Sequence, residues 1–271
     1  MKQSPNKQGF LAAIRGKKWV QTLAWLLLIA AIWQAVTALG LVSSYFLPKL
    51  SDVLATLAHE VVGGSMGMQI LNSLKVVFIG LAVSFAIVAA MVLLSIASKA
   101  ANSFFQSIST LLNTLPSMAL MPLIIMWFGI NLTAMVVLII HGVVWNMCKQ
   151  LLEAIKALPK SYLEFAGNIE LTKLQTTFGI VCYAVFPELI SSMRIAWGQA
   201  WRSLIAAEIA FGMIGALGGL GYFISLNRAY GRMDKVMAGV IVIAVLGILV
   251  ETLFFSLLER KTIKRWGMVI E

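Results

Sequence analysis

Charge is scarce in this chain: 12% of its 271 residues are Asp, Glu, Lys or Arg, against roughly 25% in ordinary soluble domains. With 60% hydrophobic residues and a mean hydropathy of +0.91, that shortage excludes a soluble enzyme domain and points to an integral membrane protein. Cysteine is nearly missing. Cys148 and Cys182 stand far apart with no CxxC spacing, so no metal cluster is expected of them and both are read as small core residues. The two histidines, His59 and His141, have no second ligand or base at a useful spacing, so no metal site is assigned and both are read as structural. There is no GxxxxGK[ST], HExxH or GxSxG and no aspartate pair of the phosphotransferase kind. The chain is therefore read as no enzyme, with no catalytic residue and no cofactor of its own.

What is present is a series of apolar runs, each near the roughly 20 residues that cross a bilayer as a helix. They predict an all-α protein with about six spans: 19–42, 71–97, 104–128, 132–152, 187–211 and 236–258. The third contains Pro116 and Pro122, each of which removes a backbone hydrogen bond and kinks a helix, so this span is expected inside the bundle. Between the first two spans, Leu54, Leu57, Ala58 and Val61 share one face of a helix starting near Ser51 and Asp52, expected to lie along the membrane surface. The glycine cluster from Gly212 to Gly221 lacks a phosphate-binding lysine and is expected to form a close-packed or flexible turn.

Basic residues orient the bundle. With an even number of spans, 14 of the 21 Lys and Arg fall on the side of the termini, which the positive-inside rule makes cytoplasmic. The expected organisation is a cytoplasmic tail at 1–18, a transmembrane domain at 19–260 with a cytoplasmic loop at about 153–183, and a cytoplasmic tail at 261–271. The net charge of +10 follows from the same bias toward lipid headgroups. No nucleic-acid motif accompanies it.

The fifth span concentrates polar residues. Glu188, Ser191, Ser192, Gln199, Arg202 and Ser203 collect within about 120° of one helix face, while Arg194, Trp201 and Glu208 form a second stripe at steps of seven. Charge at a helix centre costs about 2.5–3.5 kcal/mol on insertion scales, so it faces protein or water. The expectation is that this helix lines an aqueous pathway, the alternative being ion pairs between helices. Just before it, the stretch EFAGNIELTKLQTTFGIVCYAVFP interrupts the apolar pattern. Leu163, Ala166, Ile169, Leu171 and Leu174 among its charges suit short amphipathic helices that need a partner.

Four segments in order, FLPKLSDVLATL, TLPSMALMPLIIMWFGI, AWGQAWRSLIAAEI and GGLGYFI, resemble the permease subunits of ABC importers of the nitrate/sulfonate/taurine type, in the bacterial inner membrane. The resemblance implies a type I importer architecture, a second permease copy, two cytoplasmic ATPase subunits that bind ATP and magnesium, and a periplasmic or lipid-anchored solute-binding protein. It also implies that the loop before the fifth span couples to the ATPase through a Glu-Ala-Ala motif with a glycine four residues after the last alanine. Here Glu164, Phe165 and Ala166 occupy the motif, Glu170 stands where the glycine is expected, and the approach to Pro187 is longer than usual. The coupling residues are thus Leu163, Glu164, Ala166, Ile169, Glu170, Leu171 and Lys173. A small anionic solute (nitrate, a sulfonate or a related organic anion) would suit Arg194 and Arg202. The rival readings are a proton-coupled secondary transporter using Glu188 or Glu208, and a membrane scaffold without transport.

Overall fold

A computed structural model of the chain describes residues 6–214 and 218–262, with side chains from Val20 onward except those of Leu163 and Arg260. Gly215, the start of the N-terminal tail and most of the C-terminal tail, with Lys264 and Arg265, lie outside the described residues. Every regular element among the described residues is helical. Four stretches are long and apolar enough to cross a membrane, 20–38, 66–97, 132–156 and 233–259, and two bent helix pairs bring the number to six if each is one span.

The chain forms two compact units. The smaller one comprises the chain up to Gly64 together with Asn227–Ala238. Its α1 (Asn6–Ala38) is a single helix that begins well before Trp19 and stops at Ala38 rather than Val42. Gly40 turns the chain there with φ +69°, a conformation that costs a residue without Cβ little. Only 6% of the spanning part of α1 is buried, so nearly all its apolar surface is left for lipid or another subunit.

Helix α2 (Leu50–Val62) follows and is two-sided. Leu54, Ala58 and Val61 of the expected apolar face are open, whereas Val53 and Glu60 on the other side are buried. Thr56 Oγ1 donates to Asp234 at 2.9 Å, and Lys235 Nζ pairs with Glu60 Oε1 at 2.5 Å. The helix therefore hangs by its polar side and keeps its apolar side outward, as a helix lying at a membrane surface requires.

The larger unit contains Ser65–Leu226 and the chain from Gly239. Its core is α3 (Met66–Ala97), α6 (Leu132–Lys156) and α10 (Phe186–Phe211), with α4 (Lys99–Leu112) packed on α3 and α6. The helices approach closely where side chains are absent. A Cβ on Gly80 of α3 would lie 2.7 Å from Ile139 Cγ2 of α6, so glycine lets the two backbones meet. Val77, Leu138, Ile139, Val143, Cys148, Ala200 and Leu204 are fully enclosed in this core.

The two prolines of the third span act differently from a simple kink. Helix α4 ends at Leu112, a short 3-10 turn covers Ser117–Leu120, and α5 (Met121–Phe128) leaves at 85° to α4. Pro116 immediately precedes the 3-10 turn, and Pro122 sits in the first turn of α5, where its missing N–H costs nothing. The helix pair is bent at an elbow at 113–117, and against the expectation of a span enclosed in the bundle, residues 113–116 and most of α5 are exposed in the single chain.

The segment leading to the fifth span has three short helices, α7 (Lys160–Asn168), α8 (Lys173–Thr176) and α9 (Cys182–Ala184), with a wide π turn at Thr177–Val181. The longer approach to Pro187 is thus absorbed as helix. Pro187 occupies the first turn of α10, and the helical stretch 173–184 meets α10 at 63°. Beyond α10 come α11 (Leu220–Ala229) and α12 (Met233–Leu249), then a second π turn at Val250–Phe254 and α13 (Phe255–Lys261).

Candidate translocation and coupling sites

The polar residues of α10 divide between two surroundings. Arg194 Nη2 donates to Glu259 of α13 at 2.6 Å, and its guanidinium lies 5.8 Å from the centre of the Phe255 ring. Trp201 is buried and stacks on Trp197 at 5.5 Å. Their indole N–H groups donate to the Ile243 and Gly247 carbonyls of α12 at 3.2 and 3.3 Å. Glu208 is only 3% exposed, so its carboxylate needs donors. It has them: Ser73 Oγ of α3 at 2.7 and 2.9 Å, and the Gly221 amide at 2.8 Å. Ser73 Oγ in turn accepts from the Leu220 amide at 2.9 Å. Glu208 and Ser73 together satisfy the first amides of α11, which a helix start leaves unpaired. A Cβ on Gly219 would lie within 2.5 Å of both Glu208 carboxylate oxygens and one on Gly221 2.6 Å from Glu208 Cβ, so this end of the glycine cluster is close-packed around the carboxylate, while Gly212 stands in open space. The stripe of Arg194, Trp201 and Glu208 faces protein.

Most of the other polar residues of α10 border open space. Glu188 and Ser191 line a cavity of about 520 Å³ with Gln150, Glu153 and Ala154 of α6. Gln199, Arg202 and Ser203 line a second, of about 250 Å³, with His141 and Gly142 of α6 and the elbow residues Asn113 and Ser117. Glu188, Ser191, Ile195, Gln199 and Arg202 recur at steps of three and four, one face of a helix. The facing residues of α6 keep the same rhythm through Gly142, Asn146, Gln150 and Glu153, and Gln150 Nε2 donates to Asn146 Oδ1 at 3.2 Å. Two separate cavities with polar linings thus lie along the α6–α10 groove, one at Glu188 and one at Arg202. Ser192, by contrast, is buried and donates to the Leu189 carbonyl of its own helix at 2.8 Å.

The α6 side of this groove, His141, Asn146 and Gln150, is absent from the expectations drawn from sequence. The signal was a polar residue every four or five positions inside a run otherwise apolar enough to span. One histidine among such residues reads as a core residue until the facing helix is known.

In the coupling segment, the end of α7 is a Schellman turn. The Leu171 amide donates to Ala166 O at 3.0 Å and the Glu170 amide to Gly167 O at 3.1 Å, with Glu170 at φ +53°. That left-handed conformation is where glycine belongs, and Glu170 is the residue found where the motif expects glycine. The next helix starts at once: Thr172 and Gln175 bond each other's backbone amides in a capping box. Of the motif, Ala166 points inward with 3% exposure. Glu164, Phe165, Ile169, Glu170 and Lys173 are exposed, and Leu171 is half-buried. Leu163 lies in α7, its side chain outside the described residues. Phe165, Ile169, Leu171 and Phe178 surround a shallow cavity of about 620 Å³ with Tyr183 and Ile180.

Residues 82–264 match the family model of the binding-protein-dependent transport system inner membrane component. The chain belongs to this family. It is a family of transport permeases, not enzymes, embedded in the inner membrane through several helices. Among its relatives is a Bacillus subtilis (strain 168) protein named as an aliphatic sulfonates transport permease, 28% identical over 246 residues, covering 91% of this chain and 87% of the relative. The taurine transport system permease of Escherichia coli (strain K12) is 28% identical over 251 residues, 90% of this chain and 88% of its own. The nitrate import permease of Synechococcus elongatus is 27% identical over 234 residues, 79% and 81% of the two chains. Together they make this permease one of the nitrate/sulfonate/taurine type among ABC importers, with an all-α fold.

Proposed function

We propose that this permease carries a small anionic solute inward along the α6–α10 groove, driven by two cytoplasmic ATPase subunits, with a second copy of the chain completing the pathway. The solute arrives from an extracytoplasmic binding protein, and both termini and α7–α9 lie in the cytoplasm. ATP and magnesium belong to the partner subunits; nucleotide binding there closes the ATPases, and the coupling segment passes that movement to α10, so that the groove opens alternately to the two sides. The relatives named for sulfonates, taurine and nitrate support the class of solute.

The observation that carries the reading is the surface of the coupling segment. Its two helices are fixed by a Schellman turn and a capping box, yet Phe165 and Leu174 are 57% and 71% exposed. A segment that spends hydrogen bonds to hold apolar side chains outward presents a docking surface for protein. The test is co-purification of the ATPase. Charge reversal at Glu164 and Lys173, or Phe165→Asp, is expected to lower the ATPase recovered at least tenfold while membrane insertion is unchanged. Full recovery with all three changes would remove the docking claim. Transport in liposomes under a proton gradient alone, without ATPase, would overturn the reading as a whole.

A further inference from the structure

The cavity at the elbow of the broken span differs from the rest of the groove in charge and in hydrogen bonding. Resting on the pathway reading above, we propose that this cavity is a resting site for a small oxyanion-bearing solute, held by Arg202 and by the hydroxyl, amide and imidazole groups around it. The permease would then add a selection step of its own.

Charge comes first. Among the described residues, Arg202 is the one cation lining the cavity, and no Asp or Glu lines it. Arg202 makes no ion pair with any described residue, unlike Arg194. A planar guanidinium with several N–H donors fits two oxygens of an oxyanion at once, whereas a cation would find no carboxylate here. Gly198 makes the pose possible, since a Cβ there would meet Arg202 Nη1 at 3.3 Å.

Neutral donors come next. Ser117 Oγ of the elbow and Ser203 Oγ of α10 are 3.1 Å apart, and a Cβ on Gly142 would stand 2.9 Å from Ser203 Oγ. Gly142 therefore keeps room for a hydroxyl pair, one of whose protons remains available to a ligand. Both His141 ring nitrogens and Gln199 Oε1 are buried without a hydrogen-bond partner. Buried polar groups are nearly always paired, so the unpaired imidazole beside this cavity points to a polar ligand. Its one N–H can donate to an oxyanion, whereas Gln199 Oε1, an acceptor, is matched by the hydroxyl of bicarbonate but not by nitrate or a sulfonate. At about 250 Å³ the cavity lies below the roughly 300–1,000 Å³ of drug-sized sites. Nitrate, bicarbonate or a sulfonate of one or two carbons fits within this volume.

The test uses the permease–ATPase complex in nanodiscs, in a Cys182→Ser background, with Ser117→Cys as reporter and Ser203→Cys as a second reporter should the first not assemble. Alkylation by a water-soluble maleimide is timed with sodium nitrate, sodium ethanesulfonate or ethylammonium chloride added at equal ionic strength. Nitrate and ethanesulfonate are expected to slow labelling at least threefold and ethylammonium to leave it unchanged. Adding Arg202→Gln is expected to abolish the protection, and Arg202→Lys to retain part of it. Labelling that neither anion slows, protection that survives Arg202→Gln, or equal protection by ethylammonium overturns the site. Glu188→Cys separates this from the broader reading. If it is labelled while the elbow cysteines are unprotected or unreached, the pathway stands and the site falls; if no position is labelled, both fall.

Discussion

Glu170 offers the sharpest test of how the coupling segment is built. It is the one described non-glycine residue with positive φ, at +53°. For an L-residue with a Cβ the left-handed region costs about 1–2 kcal/mol, and glycine escapes that cost but gives up about 0.5–1 kcal/mol in chain entropy. The difference leaves Glu170→Gly ahead by roughly 0.5–1 kcal/mol, because the two bonds of the turn, Leu171 N–H to Ala166 O and Glu170 N–H to Gly167 O, are backbone bonds that the substitution keeps. Glu170→Val goes the other way: a β-branched residue is strained at positive φ, and about 1–2 kcal/mol is the expected loss. Both changes act on local opening of the α7 terminus, so the assay is amide hydrogen exchange in the assembled permease, read at residues 169–171. The expected exchange is about two- to fivefold slower in Glu170→Gly and about 5–30-fold faster in Glu170→Val, with α3 and α6 unaffected. Equal exchange in all three proteins, or faster exchange in the glycine variant, would refute the assignment of a strained Schellman position.

Other expectations follow from the core. Glu208→Ala leaves the Ser73 hydroxyl and the Gly221 amide without an acceptor, at about 1–3 kcal/mol each, so heated samples should lose the monodisperse peak in size-exclusion chromatography well below the parent's temperature, with Glu208→Gln intermediate. Gly80→Val drives a side chain into Ile139, where the added Cβ alone would sit 2.7 Å from Cγ2; the overpacking cost of about 1–3 kcal/mol should appear as lower thermal stability in the same assay. The Arg194–Glu259 pair is about one-third exposed on both sides, so a double-mutant cycle with Arg194→Ala and Glu259→Ala should return a coupling near 1 kcal/mol or less. A coupling of several kcal/mol would mean that the pair is desolvated in the assembled transporter.

The apolar runs and the proline positions are legible in the sequence because lipid leaves the backbone little choice: long apolar segments must be helices, and prolines must sit where an N–H is dispensable. Even so, a sequence shows that Pro116 and Pro122 disturb a helix, not that the result is an 85° elbow. That depends on the 3-10 turn at Ser117–Leu120 seating against α6 and α10, with residues 113–116 of the break left exposed. The motif around Glu164 shows where glycine is replaced, and φ at Glu170 shows that the backbone kept the glycine conformation regardless. The site was legible only in part. A helical wheel places Arg194, Trp201 and Glu208 on one stripe but cannot say that α3, α12 and α13 cover it. Nor can it show that Ser203, on the other face, meets Ser117 of the elbow, 86 residues away.

The division of α10 into two faces has a mechanical meaning under the proposed function. One side is fixed by groups of different kinds at three heights: Arg194 to Glu259, the two indoles to α12 carbonyls, and Glu208 to Ser73 and Gly221. The other side borders the groove and, at Arg202, makes no ion pair. A helix held this way moves together with α3, α12 and α13, because sliding it alone would strand a buried carboxylate and two indole N–H groups. Under that function, displacement arriving from α7–α9 at the 63° bend before Phe186 is carried by α10 together with α6, against which it packs most extensively, and the cavities at Glu188 and Arg202 are the places left to deform. The shape of those two cavities is then the coordinate expected to change, while the bonds of Arg194, the two indoles and Glu208 keep the opposite face still.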